Sequence, residues 1–167
     1  MRPLAIVGGL LLLLFVLWDA FETVVLPRRV SRRFRLTRAF YRLTWIPWRA
    51  IARRWKPGNP RENFLSVYGP LSLLLLLALW ATGLIFGFAF LQWGLGTRLQ
   101  TPSGLQGFAA DLYYSGTTLF TIGLGDVSPT AGAGRFLTVV EGGTGFGFLA
   151  LVIGYLPTMY DAFSRRE

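Results

Sequence analysis

The chain has 167 residues, 53% of them apolar, and a formal net charge of +9; so apolar a composition places it with membrane proteins. It contains neither cysteine nor histidine, which removes disulfides, thiolate metal sites, thiol catalysis and the commonest general base. No nucleophile-and-base pair at workable spacing is visible, so the chain is read as a non-enzyme.

Leu4 to Trp18 is uncharged and leucine-rich, and continued through Asp19 and Glu22 to Leu26 it reaches the ~20 residues needed to cross a bilayer. Residues 1–27 are therefore expected to be an N-terminal transmembrane helix. A cleaved signal peptide fits less well, because the start carries only Arg2 and Val16-Leu17-Trp18 is bulky for a cleavage point. The arginines after Pro27 belong in the cytoplasm, which puts the N-terminus outside and the C-terminus inside. Asp19 and Glu22 then share a helical face near the inner end, either solvated at the interface or paired with Arg28, Arg29 or a neighbouring helix.

Most of the positive charge lies between Arg28 and Arg61. Arg29, Arg32, Arg35 and Arg38 have the spacing of a voltage sensor, but only one span precedes them and Arg28, Arg33 and Arg42 break the pattern. At helical period Val30, Phe34, Tyr41, Trp45, Trp48, Ala52 and Trp55 form one narrow stripe, with most arginines off it. Residues 28–62 are thus expected to hold a basic amphipathic helix lying in the membrane surface, with Arg28 to Lys56 meeting anionic lipid headgroups and no nucleic acid involved. Pro47 should kink or split that helix near Ile46. Lys56-Pro57-Gly58-Asn59-Pro60 is a turn cluster that closes the segment.

Residues 63–163 read as a pore module. Gly69-Pro70 opens an outer helix assigned to 66–93, with Pro70 in its first turn and Trp93 near the outer interface. A glycine-containing outer loop follows, in which Arg98 is expected to be solvated. Asp111 suits the start of a short helix over 111–120, as a cap or a favourable charge. Thr121-Ile122-Gly123-Leu124-Gly125-Asp126 comes next. Gly123 and Gly125, two apart, supply the positive φ angles that a row of inward-facing carbonyls needs. The partly negative end of the 111–120 helix would aim at a cation there. Asp126 is expected at the outer mouth, concentrating cations, or bracing the loop from behind by a hydrogen bond. Ser128-Pro129-Thr130 turns into an inner helix over 133–161, followed by a short cytoplasmic tail at 164–167. Within that helix Glu141 should face protein or water rather than lipid. It supports the loop, pairs with a pore-loop donor or is protonated. Gly142, Gly143, Gly147 and Pro157 are hinge candidates; close packing is the other reading for these glycines and for Gly145 and Gly154.

Tyr113-Tyr114, Ser115, Thr117-Thr118 and the hexapeptide at 121–126, set between two apolar helices, resemble the pore loop of the tetrameric potassium-channel family. The resemblance covers roughly Ser66 to Phe163. It implies a homotetramer in which the carbonyls of Thr121, Ile122, Gly123 and Leu124, with the Thr121 hydroxyl, replace water around K+ ions moving in single file, without an organic cofactor. Asp111, Tyr113, Tyr114, Thr117, Thr118 and Glu141 are then pore-helix supports and Gly125 completes the filter. The expected fold is an all-α membrane protein: three transmembrane helices, one interfacial amphipathic helix, and a re-entrant pore helix with selectivity filter, in a symmetric tetramer. The expected function is passive, potassium-selective conduction across the plasma (inner) membrane. Leu124 stands where many members have tyrosine, Phe120 where threonine is usual, and Thr117 where some bacterial members have glutamate. The hexapeptide is similar to the second pore of animal two-pore-domain potassium channels. A nonselective cation pore and a non-conducting lipid-surface scaffold are the alternatives.

Overall fold

The computed structural model describes residues 2–24, 36–54, 59–101 and 104–164, with the backbone alone at 59–60 and 155–164. The expectations placed on residues 25–35, on 55–58 and on the tail from Arg165 fall outside the described residues. Five helices dominate: α1 (Arg2–Val24), α2 (Leu36–Ala52), α3 (Asn59–Leu95), α4 (Phe108–Leu119) and α5 (Gly132–Ser164). Two short strands, β1 (Leu99–Gln100) and β2 (Ser128–Pro129), pair antiparallel, Leu99 opposite Pro129 and Gln100 opposite Ser128. α1, the Arg61–Leu95 part of α3 and the Gly132–Gly154 part of α5 are long and apolar enough to cross a membrane, with hydropathies of 2.4, 2.4 and 1.8. The protein is an all-α membrane protein. It divides into two compact units, one of Met1–Phe15 with Ala81–Glu167, the other of Val16–Trp80.

In the first unit α1 meets α3 at glycines. A Cβ on Gly9 would lie 2.7 Å from the Gly87 carbonyl oxygen, one on Gly87 2.6 Å from Leu13, and one on Gly94 2.7 Å from Ile6. Gly87 and Gly94 are two helical turns apart and share a face; Ile6 and Leu13 on α1 have the same spacing and fill the hollows opposite. Lipid tails are as apolar as leucine, so this close fit, rather than burial from water, holds the pair. α4 packs on α5. The β1–β2 ladder clips the loop before α4 to the segment leading into α5. Thr130 extends the clip, its N–H and Oγ1–H donating to the Arg98 carbonyl at 3.0 and 2.9 Å.

In the second unit α2 lies against α3 through its aromatic residues. Trp48 stacks on Phe64, with ring centroids 4.3 Å apart and planes 5° apart, and its Nε1–H donates to the Phe64 carbonyl at 3.3 Å. Trp45 meets Tyr68 edge-on at 4.8 Å, and the Tyr68 hydroxyl lies 2.8 Å from Thr44 Oγ1. Ala52 is fully buried. Trp45 and Trp48, in the described part of the stripe expected to face the membrane surface, are therefore packed on α3, because Phe64 and Tyr68 offer these rings both apolar faces and hydrogen-bond partners, which lipid tails cannot. The face left open carries Leu43 (70% exposed) and Ile46 (60%).

Pro47 and Pro70 lie inside helices. Of the kink or split expected at Pro47, the split does not occur, since α2 continues through it. Pro47 forfeits only the bond to the carbonyl four residues back, that of Leu43, a residue on the open face. Pro70 lies in the interior of α3 rather than in its first turn. α3 is ~55 Å long at 1.5 Å per residue, against a ~30 Å hydrocarbon core, and so extends well past one span. Phe64 and Tyr68, both N-terminal to Pro70, hold that extension against α2.

Asp19, near the end of α1, is buried. Of the alternatives for it, the neighbouring helix prevails: its Oδ2 accepts from Trp80 Nε1–H at 2.9 Å and from Thr37 Oγ1–H at 2.7 Å.

Candidate functional site

The site is built from the end of α4 outward. Gly107, at φ 63°, occupies the N-cap position, so Asp111 is not the cap; it lies in the first turn, where the helix dipole favours a carboxylate. Burial there pushes its carboxyl up to about 6. At the other end the helical ladder tightens and stops. The Phe120 N–H donates to the Gly116 carbonyl at 3.2 Å and Thr121 N–H to Thr118 at 3.0 Å; Ile122 and Gly123 N–H share the Thr117 carbonyl at 2.8 and 3.3 Å. The start of the 121–126 loop is thereby suspended from the last carbonyls of α4.

The backbone then changes hand at every second residue: φ is 56° at Thr121, 57° at Gly123 and 76° at Gly125, with Ile122 and Leu124 between them on the ordinary side. In a strand, carbonyls alternate between two edges; alternating the hand of the residues turns them toward one edge instead. Glycine tolerates this freely. Thr121 does not, since the left-handed region costs a side-chain-bearing residue ~1–2 kcal/mol and is rarer still for a β-branched one. Backbone strain of this kind collects at functional sites. Every residue from Thr121 to Asp126 is exposed in the single protomer, Ile122 by 58% and Leu124 by 62%. Among the described residues no cluster of His, Cys, Asp or Glu is fit to hold a metal ion. A cation drawn to this loop would meet neutral carbonyl oxygens, a donor set suited to a hard, weakly held ion.

Side chains brace the loop from behind. The Tyr113 hydroxyl donates to Asp126 Oδ2 at 2.9 Å, and that bond raises the phenol pKa. Tyr114 is buried with its hydroxyl 2.5 Å from Thr138 Oγ1. Thr138 directs its own proton to the Gly134 carbonyl at 2.8 Å, so Tyr114 is the donor. Thr117 Oγ1 bonds back to the Tyr114 carbonyl at 2.9 Å. Thr118 takes part through its carbonyl. Ser115, fully buried, has its Oγ 2.9 Å from the Ile85 carbonyl of α3 and in hydrogen-bond contact with Glu141 Oε1 of α5.

Of the inner-helix glycines, the one packed tightly is Gly145. Its Cβ would lie 1.9 Å from the Leu119 carbonyl oxygen, whereas Gly142, Gly143, Gly147 and Gly154 have nothing within 4 Å. The backbone of α5 continues through Pro157 to Ser164. Thr138 was not foreseen; for Asp126 a bracing hydrogen bond was expected, but not that Tyr113 would be its donor. A signal for the first existed: Thr138, Glu141 and Gly145 recur at three and four residues on an otherwise apolar helix, the spacing of one face.

Residues 73–161 match the model of a family described as ion channel. The chain belongs to that ion-channel family. The matched part of the chain runs from within α3 through α4 and the 121–126 loop into α5, and leaves out α1 and α2. A curated relative, the uncharacterized membrane protein YdjJ of Bacillus subtilis (strain 168), is 25% identical over 167 residues, covering 97% of this chain, α1 and α2 included. The chain spans 46% of that relative's length. No solved structure matches it.

Proposed function

We propose that the protein is a potassium-selective channel, a ring of four copies around one filter axis. The alternating φ at Thr121, Gly123 and Gly125 is the observation that carries this reading. Irregular backbone at membrane depth is stable only where it is buried in protein or lines a watery path. A closed ring supplies both, with the 121–126 loops facing the axis. Phe136, Val139, Val140 and Phe146 of α5 are also exposed, and adjacent copies would cover them. The number four and the choice of potassium rest on the resemblance of the loop to potassium-channel filters.

In this reading the carbonyls of Thr121, Ile122, Gly123 and Leu124 take the place of an ion's hydration shell, while the C-terminal end of α4 supplies partial negative charge. Asp126, held by Tyr113, raises the cation concentration at the outer mouth. The N-terminus lies outside and the C-terminus in the cytoplasm of the plasma (inner) membrane. The open face of α2, with Leu43 and Ile46 beside Arg42 and Arg49, rests on anionic lipid.

Reconstituted flux tests the proposal. Liposomes containing this chain should pass potassium and rubidium, exclude sodium and be blocked by barium, and Gly123→Ala should abolish the selective flux because alanine resists the left-handed conformation. Absence of flux would favour a non-conducting scaffold. A specific feature keeps a nonselective pore in view: Leu124 has no hydroxyl and is 62% exposed, while the nearby Tyr113 hydroxyl is committed to Asp126. Reversal potentials near zero with potassium and sodium on opposite sides would select that reading.

A further inference from the structure

Ser115 marks the place where α3, α4 and α5 meet. Its hydroxyl has one proton and two oxygen neighbours, the Ile85 carbonyl and Glu141 Oε1. A carbonyl can only accept, so a bond to Ile85 takes the serine's proton. The contact with Glu141 then needs a proton from the other side. We propose that Glu141 is a neutral carboxylic acid that donates to Ser115 Oγ, so that one chain of hydrogen bonds runs from α5 through α4 to α3 and positions the pore helix. This deepens the reading of 121–126 as an ion filter and rests on it for its functional consequence.

The surroundings point the same way. Glu141 is 0% exposed, and its Oε2 has no hydrogen-bond partner among the described residues. An ionised carboxylate left with a single hydroxyl for company in a membrane-spanning helix would be heavily penalised, whereas a neutral acid lacking one acceptor contact loses little. Among the described residues of the packed helices no cation is at hand to offset a charge. α3 from Leu71 to Leu95 has no charged residue, and α4 carries only Asp111 with Tyr113 and Tyr114. On α5 itself Arg135 donates through Nε to the Pro129 carbonyl at 3.3 Å. A neighbouring copy does not reach Glu141 either, because it is already enclosed within one protomer.

The Tyr114–Thr138–Gly134 chain, one turn away on α5, ends in the same way: hydroxyl donors in series that terminate on a backbone carbonyl. Glu141 is therefore a positioning residue. Its donor O–H matters, and its charge does not.

Two measurements on the full reconstituted chain test this. In infrared difference spectra of wild type against E141Q at neutral pH, wild type should show the carbonyl stretch of a protonated carboxylic acid, shifted in D2O and shifted again by Ser115→Ala. E141Q, whose amide N–H can replace the O–H, should keep flux and potassium preference within about twofold, while E141L should lose at least about tenfold, as expected when a buried partner is left unsatisfied. The proposal is overturned if the band is missing, or if E141Q is as damaged as E141L. The infrared measurement does not require conduction. A band present in protein that passes no ions would defeat the channel reading and leave the neutral Glu141 standing.

Discussion

Gly145→Ala is the sharpest test of how the inner helix holds the loop. The added methyl would sit 1.9 Å from the Leu119 carbonyl oxygen, 2.7 Å from its carbonyl carbon and 3.0 Å from its Cα, where ordinary contact begins at 3.4 Å. The obstacle is backbone, so no rotamer relieves it, and about 1.5 Å must open between α5 and the end of α4. Overpacking of this kind costs ~1–3 kcal/mol, set against ~0.5–1 kcal/mol gained when alanine replaces glycine in a helix. The net effect should be a loss of about 1–2 kcal/mol. Leu119 ends α4, and the Thr117 and Thr118 carbonyls beside it carry the first residues of the 121–126 loop, so the displacement passes directly into that loop. Thermal unfolding in detergent should fall, and the ratio of potassium to sodium flux in liposomes should fall with it. Gly8→Ala, with open space around its Cβ, is the control and should be neutral or slightly stabilising. If Gly145→Ala behaves like Gly8→Ala in both assays, the packing argument is wrong.

Asp19→Ala would strand the Trp80 Nε1–H and leave the Thr37 hydroxyl with Thr23 Oγ1 at 3.1 Å, and should destabilise by about 1–3 kcal/mol, while Asp19→Asn, which keeps an acceptor oxygen, should lose far less; thermal melts compare them. Gly94→Ala would place a methyl 2.9 Å from the Ile6 backbone nitrogen, so its thermal melt should fall where that of Gly8→Ala does not, and equal melts would refute the close approach of α1 and α3. Trp48→Ala removes a stacked ring and a hydrogen bond, and should expose the arginines of α2 to trypsin at a faster rate than in wild type. Tyr113→Phe should free Asp126 and weaken ion preference. With the phenol pKa raised, the wild-type bond is present below ~10 and is lost only as pH rises through the higher folded value.

The membrane spans and the loop at 121–126 were legible because each is a local property: a run of apolar residues, or glycines two apart behind an aromatic and hydroxyl-bearing helix. The covering of α2 was not. Its stripe of Tyr41, Trp45, Trp48 and Ala52 is amphipathic whether lipid or another helix lies against it, and Phe64 and Tyr68, which decide the matter, lie beyond the turn cluster. The glycines of α5 make the same point more finely. Gly142, Gly143, Gly145 and Gly147 look interchangeable in sequence, yet register against Leu119 selects Gly145. A hydrogen bond bracing the loop could be expected of Asp126, but its partner required knowing how the loop folds back over Tyr113.

The two anchorages of α2 have a mechanical consequence. Near its C-terminal end it is pinned to Phe64, and near its start Thr37 joins it through Asp19 to Trp80, points on α3 about 24 Å apart at 1.5 Å per residue. Pro70 lies between them, where the helix is missing a rung. α2 is thus a splint across the weakest joint of α3: while both pins hold, that joint is stiff, and a pull on the splint is delivered there as a bending moment.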